Sequence, residues 1–205
     1  TVDGCMEPII GMEEPFRYRN KAQFPVGTDK EGNPVAGFYA QRTHAIIPNT
    51  DCVLGVSENK EILELILSFM KETGLPAYDE TSGKGVVRHI LIRKGFASGE
   101  LMVCLVINRD SFKGEDELAK RLMKIPGMAS VTVSINKERT NVIMGTQIRL
   151  LAGKPTITDT LGGISFEISP LSFYQVNPVQ TVKLYGKAVE YAGLTGNESV
   201  WDLYC

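Results

Sequence analysis

Two adjacent strand-length stretches, Val86–Lys94 (VVRHILIRK) and Glu100–Asn108 (ELMVCLVIN), the second apolar throughout its interior, constrain the fold more than anything else in the chain. Both have strand length and are rich in β-branched residues, and Phe96-Ala97-Ser98-Gly99 between them turns the chain, so they read as a hairpin. A helix precedes them. Ser57 opens it, Ile62, Ile66, Phe69 and Met70 form its apolar face, and Gly74-Leu75-Pro76 stops it. A second helix over 115–125 follows, with Leu118, Leu122 and Ile125 inward and Pro126-Gly127 as its stop. Residues 130–136 (SVTVSIN) then alternate as a half-buried strand.

Upstream, FRYRNKAQFPV and VAGFYAQRTHAIIP read as two long strands joined by the turn cluster GTDKEGNP. From the second of these onward the order is strand, helix, strand, strand, helix, strand. That is the split βαβ, ferredoxin-like order in an antiparallel sheet, an α+β class with helices on one face. Such a sheet can serve as an RNA-reading platform, but the fold hosts many functions. Short strands are expected at NVIMG, QIRLL, PTITD and ISFEIS. Asn177 then caps a helix with Pro178 at its first position and Gln180 in a capping box. Val182, Tyr185, Val189 and Ala192 give that helix its apolar face, Gly193 ends it, and SVWDLY reads as a buried strand. A boundary near 168–174 divides an α+β domain (1–170) from the first helix and strand of a truncated α/β domain (171–205). The start without Met and the finish in a strand make the chain read as a piece of a longer one.

Composition places the chain among globular proteins, with 43% hydrophobic and 22% charged residues. A formal charge of −2 gives no global basic footprint, although nucleic acid needs only a local patch. Four widely spaced cysteines without a C-x-x-C read as reduced thiols of a cytoplasmic protein. There is no apolar run of membrane-spanning length.

The densest positive charge is RYRNK, where Arg17, Arg19 and Lys21 are joined by Arg42 on the next strand. Phosphate contact and an ordinary solvated strand face both fit it. Arg88 and His89 are further candidates for phosphate, with a structural, hydrogen-bonded role the alternative for the histidine. Lys94-Gly95-Phe96-Ala97 echoes the start of an RNA-recognition-motif signature, but Gly99 turns the chain where that signature needs a strand. Gln175 is a polar residue in an aromatic hinge, suited to orienting a cofactor or a base, or to stabilising the hinge. No phosphate loop, nucleophile elbow or zinc-protease motif is present.

In order, RYRNKAQFPVG, GFYAQRTHAIIPNTDC, RHILIR with GELMV, NKERTNVIMG and LGGISFEISPLSFYQVNPVQTVKLY, ending in WDLYC, resemble the RNA 5-methyluridine methyltransferase family, nearest its ribosomal-RNA branch. The resemblance runs from about Ile9 to Cys205. It implies methylation of uridine C5, in 23S ribosomal RNA, with S-adenosylmethionine as donor. A cysteine thiolate activates the flipped-out base by adding to C6, and a glutamate assists loss of the C5 proton. By the same resemblance Gln175 and Tyr204 contact the methyl donor. Cys52 matches the fourth ligand of the 4Fe-4S cluster found in many members, whose other ligands are expected before Thr1. The nucleophilic cysteine, the glutamate and the glycine loop are expected beyond Cys205, so this stretch alone is expected to be inactive and without a cluster. A stand-alone ferredoxin-like RNA-binding module is the rival reading. Self-association through Val182, Tyr185 and Val189 is also expected.

Overall fold

A computed structural model describes residues 2–203, and Tyr204 and Cys205 lie outside the described residues. Among the described residues nine strands and three α-helices follow one another. They are β1 (Lys21–Thr28), β2 (Pro34–Tyr39), β3 (Ile46–Pro48), α1 (Glu58–Thr73), β4 (Val87–Lys94), β5 (Leu101–Ile107), α2 (Glu115–Leu122), β6 (Met128–Ile135), β7 (Gln147–Gly153), β8 (Ile157–Leu161), β9 (Ile164–Ile168) and α3 (Pro178–Ala192).

The β4–β5 hairpin forms where the apolar runs place it, and it is the centre of a seven-stranded sheet ordered β3-β2-β1-β4-β5-β6-β7. Both strands are buried along almost their whole length, on both faces, so β5 is a continuous apolar run and not an alternating one, while β4 carries Arg88, His89 and Arg93 into the interior. On one face Ile90, Ile92, Val103, Leu105, Val131 and Val133 pack against Ile62, Leu63, Ile66, Phe69 and Met70 of α1 and Leu118, Ala119 and Leu122 of α2. On the other, Met102 packs with Ile157 and Ile168 of the separate β8–β9 hairpin, and with Tyr174. At roughly 25 cal/mol per Å2 of apolar surface, each fully buried Leu or Ile contributes about 2 kcal/mol to the sheet's cohesion.

The strand order corrects the ferredoxin-like expectation. α2 returns the chain beside its own starting strand, so β5 and β6 pair in parallel as an unsplit βαβ unit. All other pairs are antiparallel, and β1, not β5, lies between β2 and β4. The element order is compatible with both arrangements, because a helix-linked return can land beside its origin or one strand away.

Three local readings also change. The second long strand is broken into β2 and β3 by a tight turn, with Ala40 N–H bonding Ala45 O at 2.8 Å and Arg42 at φ 61°. NVIMG is not a strand. Asn136 instead donates to the carbonyls of Val142 (2.7 Å) and Ile143 (3.0 Å), fixing the segment as a loop. Residues 199–203 have no strand neighbour among the described residues, and Trp201 is 83% exposed where a buried strand was expected.

α3 begins as expected, with the Asn177 side chain accepting from Gln180 N–H at 3.1 Å and Gly193 closing it in the left-handed region. The Gln180 amide does not complete a capping box; it donates to Ile10 O at 2.9 Å. Only Pro178 and Thr181 of α3 are buried, and Val182, Tyr185 and Val189 face outward. The hinge before it is held by main-chain acceptors. Asn20 N–H bonds Val176 O at 3.0 Å, and its amide bonds Gln175 O at 2.8 Å. The buried Arg93 guanidinium donates to the carbonyls of Pro170 and Ser172. Burial lowers the Arg93 pKa to about 10, still charged at neutral pH.

Two polar residues of β4 turn inward with it. Arg88 is 3% exposed, and it is a correction to the RNA-contact set. Its guanidinium lies 4.6 Å over the Tyr78 ring, pairs with Glu80 at 3.1 Å, and donates to Asn136 O (3.1 Å) and Glu138 O (2.7 Å). A register shift between Val87 and His89 locally disrupts the ladder, and such bulges re-aim side chains in a way that simple alternation does not anticipate. His89 is likewise buried, edge-on to Tyr39 with ring centroids 6.4 Å apart, and its Nδ1 has no hydrogen-bond partner, so it packs as a ring and not in the hydrogen-bonded role expected of it.

Two outcomes follow from these buried groups. Arg93→Met leaves the hinge carbonyls unpaired and should cost about 2 kcal/mol, lowering the urea midpoint; an unchanged midpoint rules out the clamp. Burial, helped by the Arg88 charge, lowers the His89 pKa to about 4. The unfolded chain takes up that proton near pH 6.5, so stability should fall as pH drops from about 6.5 toward 4. His89→Gln should flatten that stretch of a stability–pH curve measured by urea unfolding.

Candidate nucleic-acid interface

The start of β1 gathers positive charge. Arg19 is tied through its backbone to the loop before α1, its N–H bonding Leu54 O at 2.9 Å, and it forms a bridge with Gly55. Lys21 stands opposite Arg93 in the β1–β4 register. Partial burial, then the charges of Arg93 and Arg19, lowers the Lys21 pKa below the usual lysine range. Among the described residues neither Arg19 nor Lys21 has an acidic partner. Within a chain of net negative charge this is a local, uncompensated cationic patch, the kind that attracts a polyanion.

The other candidates divide differently. Arg17 pairs with Asp51 at 2.6 Å and donates to Cys52 O (3.0 Å) and Gly55 O (3.3 Å). That hydrogen bond also holds the Asp51 carboxyl below the usual carboxylate range. Arg17 therefore pins the Asp51–Gly55 loop, and its charge is already partly answered. Arg42 is exposed at the β2–β3 turn, where no side-chain contact among the described residues joins it to Arg17, Arg19 or Lys21. Arg17 (φ 55°) and Arg42 are the two non-glycine residues at positive φ among the described residues, a conformation that costs of order 1 kcal/mol.

Beside the patch lies an open cleft of about 510 Å3, walled by Arg19, Lys21, Phe24, Phe38, Cys52 and Asn59, with Val176 of the hinge at its rim. It exists because β1 pairs with β2 only over Val26–Thr28, whereas Lys21–Pro25 pairs with β4 alone. The Cys52 thiol is half-buried here. Among the described residues no group of three His, Cys, Asp or Glu side chains could hold a metal ion, and no chemistry is assigned through Cys52 here.

Gln175 lines a different cleft, of about 340 Å3, at the start of α3 with Ile10, Asn177, Gln180 and Leu184. Its amide makes a long 3.4 Å contact with the Tyr185 hydroxyl, and its carbonyl belongs to the Asn20 clamp. One available amide against an apolar wall does not make a site for S-adenosylmethionine on its own. Tyr204 lies outside the described residues. Sequence reasoning missed Asn20, Asn59 and Arg93. An arginine closing an apolar strand was a visible signal for the last, whereas the two asparagines carried none.

No family model matches the chain. It is 44% identical over 201 residues to an uncharacterized RNA methyltransferase of Halalkalibacterium halodurans, covering 98% of this chain and 44% of the relative. A Clostridium acetobutylicum protein of the same description is 45% identical over 197 residues, covering 96% of this chain and 43% of the relative. Among solved structures, the Pyrococcus abyssi tRNA (uracil-54, C5)-methyltransferase in complex with S-adenosyl-L-homocysteine matches with a TM-score of 0.72 at 22% identity, over 87% of this chain and 41% of that one. The chain thus spans a little under half the length of the curated relatives it matches, and over nearly all of its own length it is homologous to proteins described as RNA methyltransferases.

Proposed function

We propose that this chain is the RNA-contacting α+β part, with the first helix of the cofactor domain, of an S-adenosylmethionine-dependent enzyme that methylates C5 of a uridine in 23S ribosomal RNA. The observation that carries the reading is the identity of 40–45% to RNA methyltransferases along nearly the whole chain. The shared fold with a tRNA uracil-C5 methyltransferase is consistent with it. Relatives described as methyltransferases disfavour a binding module without catalysis.

In this reading Arg19 and Lys21 contact phosphates at the mouth of the cleft, and Arg42 reaches the RNA from its exposed turn. Arg17 acts mainly by holding the loop that carries Cys52, which would be a cluster ligand when the other ligands are supplied. Arg88 is left out because it is buried and both its terminal nitrogens donate to groups inside the protein. Gln175, held in place through its own carbonyl, presents its amide toward the cofactor domain. S-adenosylmethionine supplies an electrophilic methyl group; the thiolate that adds to C6 and the base that removes the C5 proton are not assigned to residues of this chain.

Three measurements bear on the reading. Deleting the gene should remove one 5-methyluridine from 23S ribosomal RNA by mass analysis of nuclease digests; an unchanged 5-methyluridine content rules out the assignment. For the chain itself, Arg19→Ala/Lys21→Ala should weaken RNA binding and flatten the log–log salt slope. On single-stranded RNA the change should be about 0.7 for each phosphate no longer neutralised. The outward stripe of Val182, Tyr185 and Val189 should make residues 1–205 self-associate with concentration, whereas residues 1–172 elute as a monomer in size-exclusion chromatography.

A further inference from the structure

Building on the RNA-binding reading above, we infer a second RNA-backbone surface at the far end of the central sheet. There Lys84, Arg109, Lys113 and Arg139 come together, and the RNA that meets Arg19 and Lys21 at the start of β1 also lays phosphates on them.

The loops before β4, after β5 and after β6 converge at this end. Asn108 N–H bonds Val86 O at 3.1 Å and Asn136 N–H bonds Ile107 O at 2.8 Å, so the sheet ladder runs on just past the strands. That frame sets Arg109 beside the turn that carries Lys84. Arg139 folds back onto the same turn, its guanidinium lying over Gly83 so closely that a Cβ there would overlap it. Arg109 and Lys113 line one cleft of about 630 Å3 with Pro76, Val86 and Phe112. From beneath, the buried Arg88 ties the last loop to β4 by donating to Asn136 O and Glu138 O. The cations therefore stand on a fixed base, which lowers the ordering cost of meeting a ligand.

All four residues are exposed, and among the described residues none forms an ion pair. The neighbouring carboxylates are largely answered from elsewhere. Asp110 pairs with Lys137 at 2.7 Å, Glu115 with Arg149 at 2.7 Å, and Glu80 with Arg88 at 3.1 Å, while Asp79 accepts from Ser82 N–H at 2.7 Å. Glu138 and Asp116 have no ion pair of their own among the described residues, two carboxylates against four cations. The four charges are spread over three loops and do not converge on one point. That spacing suits successive phosphates of a chain and not a single free anion, and guanidinium groups add bidentate pairing.

The two patches sit at opposite ends of β4. Lys21 stands opposite Arg93, and β4 begins at Val87. At about 3.3 Å per residue the ends of that strand are roughly 20 Å apart, so an RNA that touches both extends over several nucleotides.

The test measures binding of the chain to a mixed-sequence single-stranded RNA across a salt series. Arg109→Ala/Arg139→Ala should weaken binding about tenfold at moderate salt and flatten the log–log salt slope by about 1.4, the sum for two phosphates. Lys84→Ala/Lys113→Ala should do the same and decides the matter if thermal unfolding shows the arginine pair to be misfolded. Lys120→Ala/Lys124→Ala removes as much charge from the exposed side of α2 and should leave affinity within about twofold of the parent. Combined with Arg19→Ala/Lys21→Ala, a folded double should multiply the losses, as distant contacts to one RNA do. The inference is overturned if a folded double keeps the parent's affinity and slope, if the α2 control loses as much, or if the combined variant binds no more weakly than Arg19→Ala/Lys21→Ala. In each of those events, a loss in the Arg19→Ala/Lys21→Ala variant leaves the RNA-contact reading standing without a second surface. A parent chain that binds no RNA removes both.

Discussion

The structure depends on covering β4 and β5 on both faces. Both strands are buried on both faces, polar residues of β4 included, so the sheet is covered by two layers. Helices α1 and α2 provide one. The β8–β9 hairpin and the hinge that follows it provide the other, and a charged residue lies inside that second layer. Arg93 can stay buried because the carbonyls of Pro170 and Ser172 turn to meet it. The same contact that gives one guanidinium nitrogen its acceptors fixes where the chain leaves the sheet, and hence where α3 begins.

A sharp division runs through the positive charge of the molecule. Arg17, Arg88 and Arg93 are spent on holding loops and turns together, each donating to main-chain carbonyls. Arg19, Lys21 and Arg42 are left unanswered by acidic groups among the described residues. The first set looks as basic as the second in the sequence. What separates them is geometry: a bulge beside Arg88, a neighbouring aspartate for Arg17, and a hinge folding back over Arg93.

Much of the architecture was legible in the chain, and the reasons differ by element. The central hairpin, α1 and the α3 cap were readable because apolar runs, helical spacing and capping chemistry are local signals. The end of α2 came three residues early because Lys124 and Ile125 close a tighter turn after Leu122. The strand order was not readable, since a helix-linked return can land beside its origin or one strand away and the sequence of α2 does not mark which. The NVIMG segment was misread as a strand for a similar reason: Asn136, outside it, supplies the hydrogen bonds that keep it from pairing. Of the site, the cations at Arg19 and Lys21 were visible as a cluster, but the cleft beside them was not, because it arises from β1 losing β2 as a partner halfway along.

The hinge before α3 has a consequence for how such a protein can drift. Asn20 and Arg93 grip only main-chain oxygens, those of Pro170, Ser172, Gln175 and Val176. A carbonyl is the same group whatever side chain it belongs to. The path of the linker is therefore indifferent to most substitutions along it, and the identity of its residues is left open to be shaped by whatever they touch on the far side.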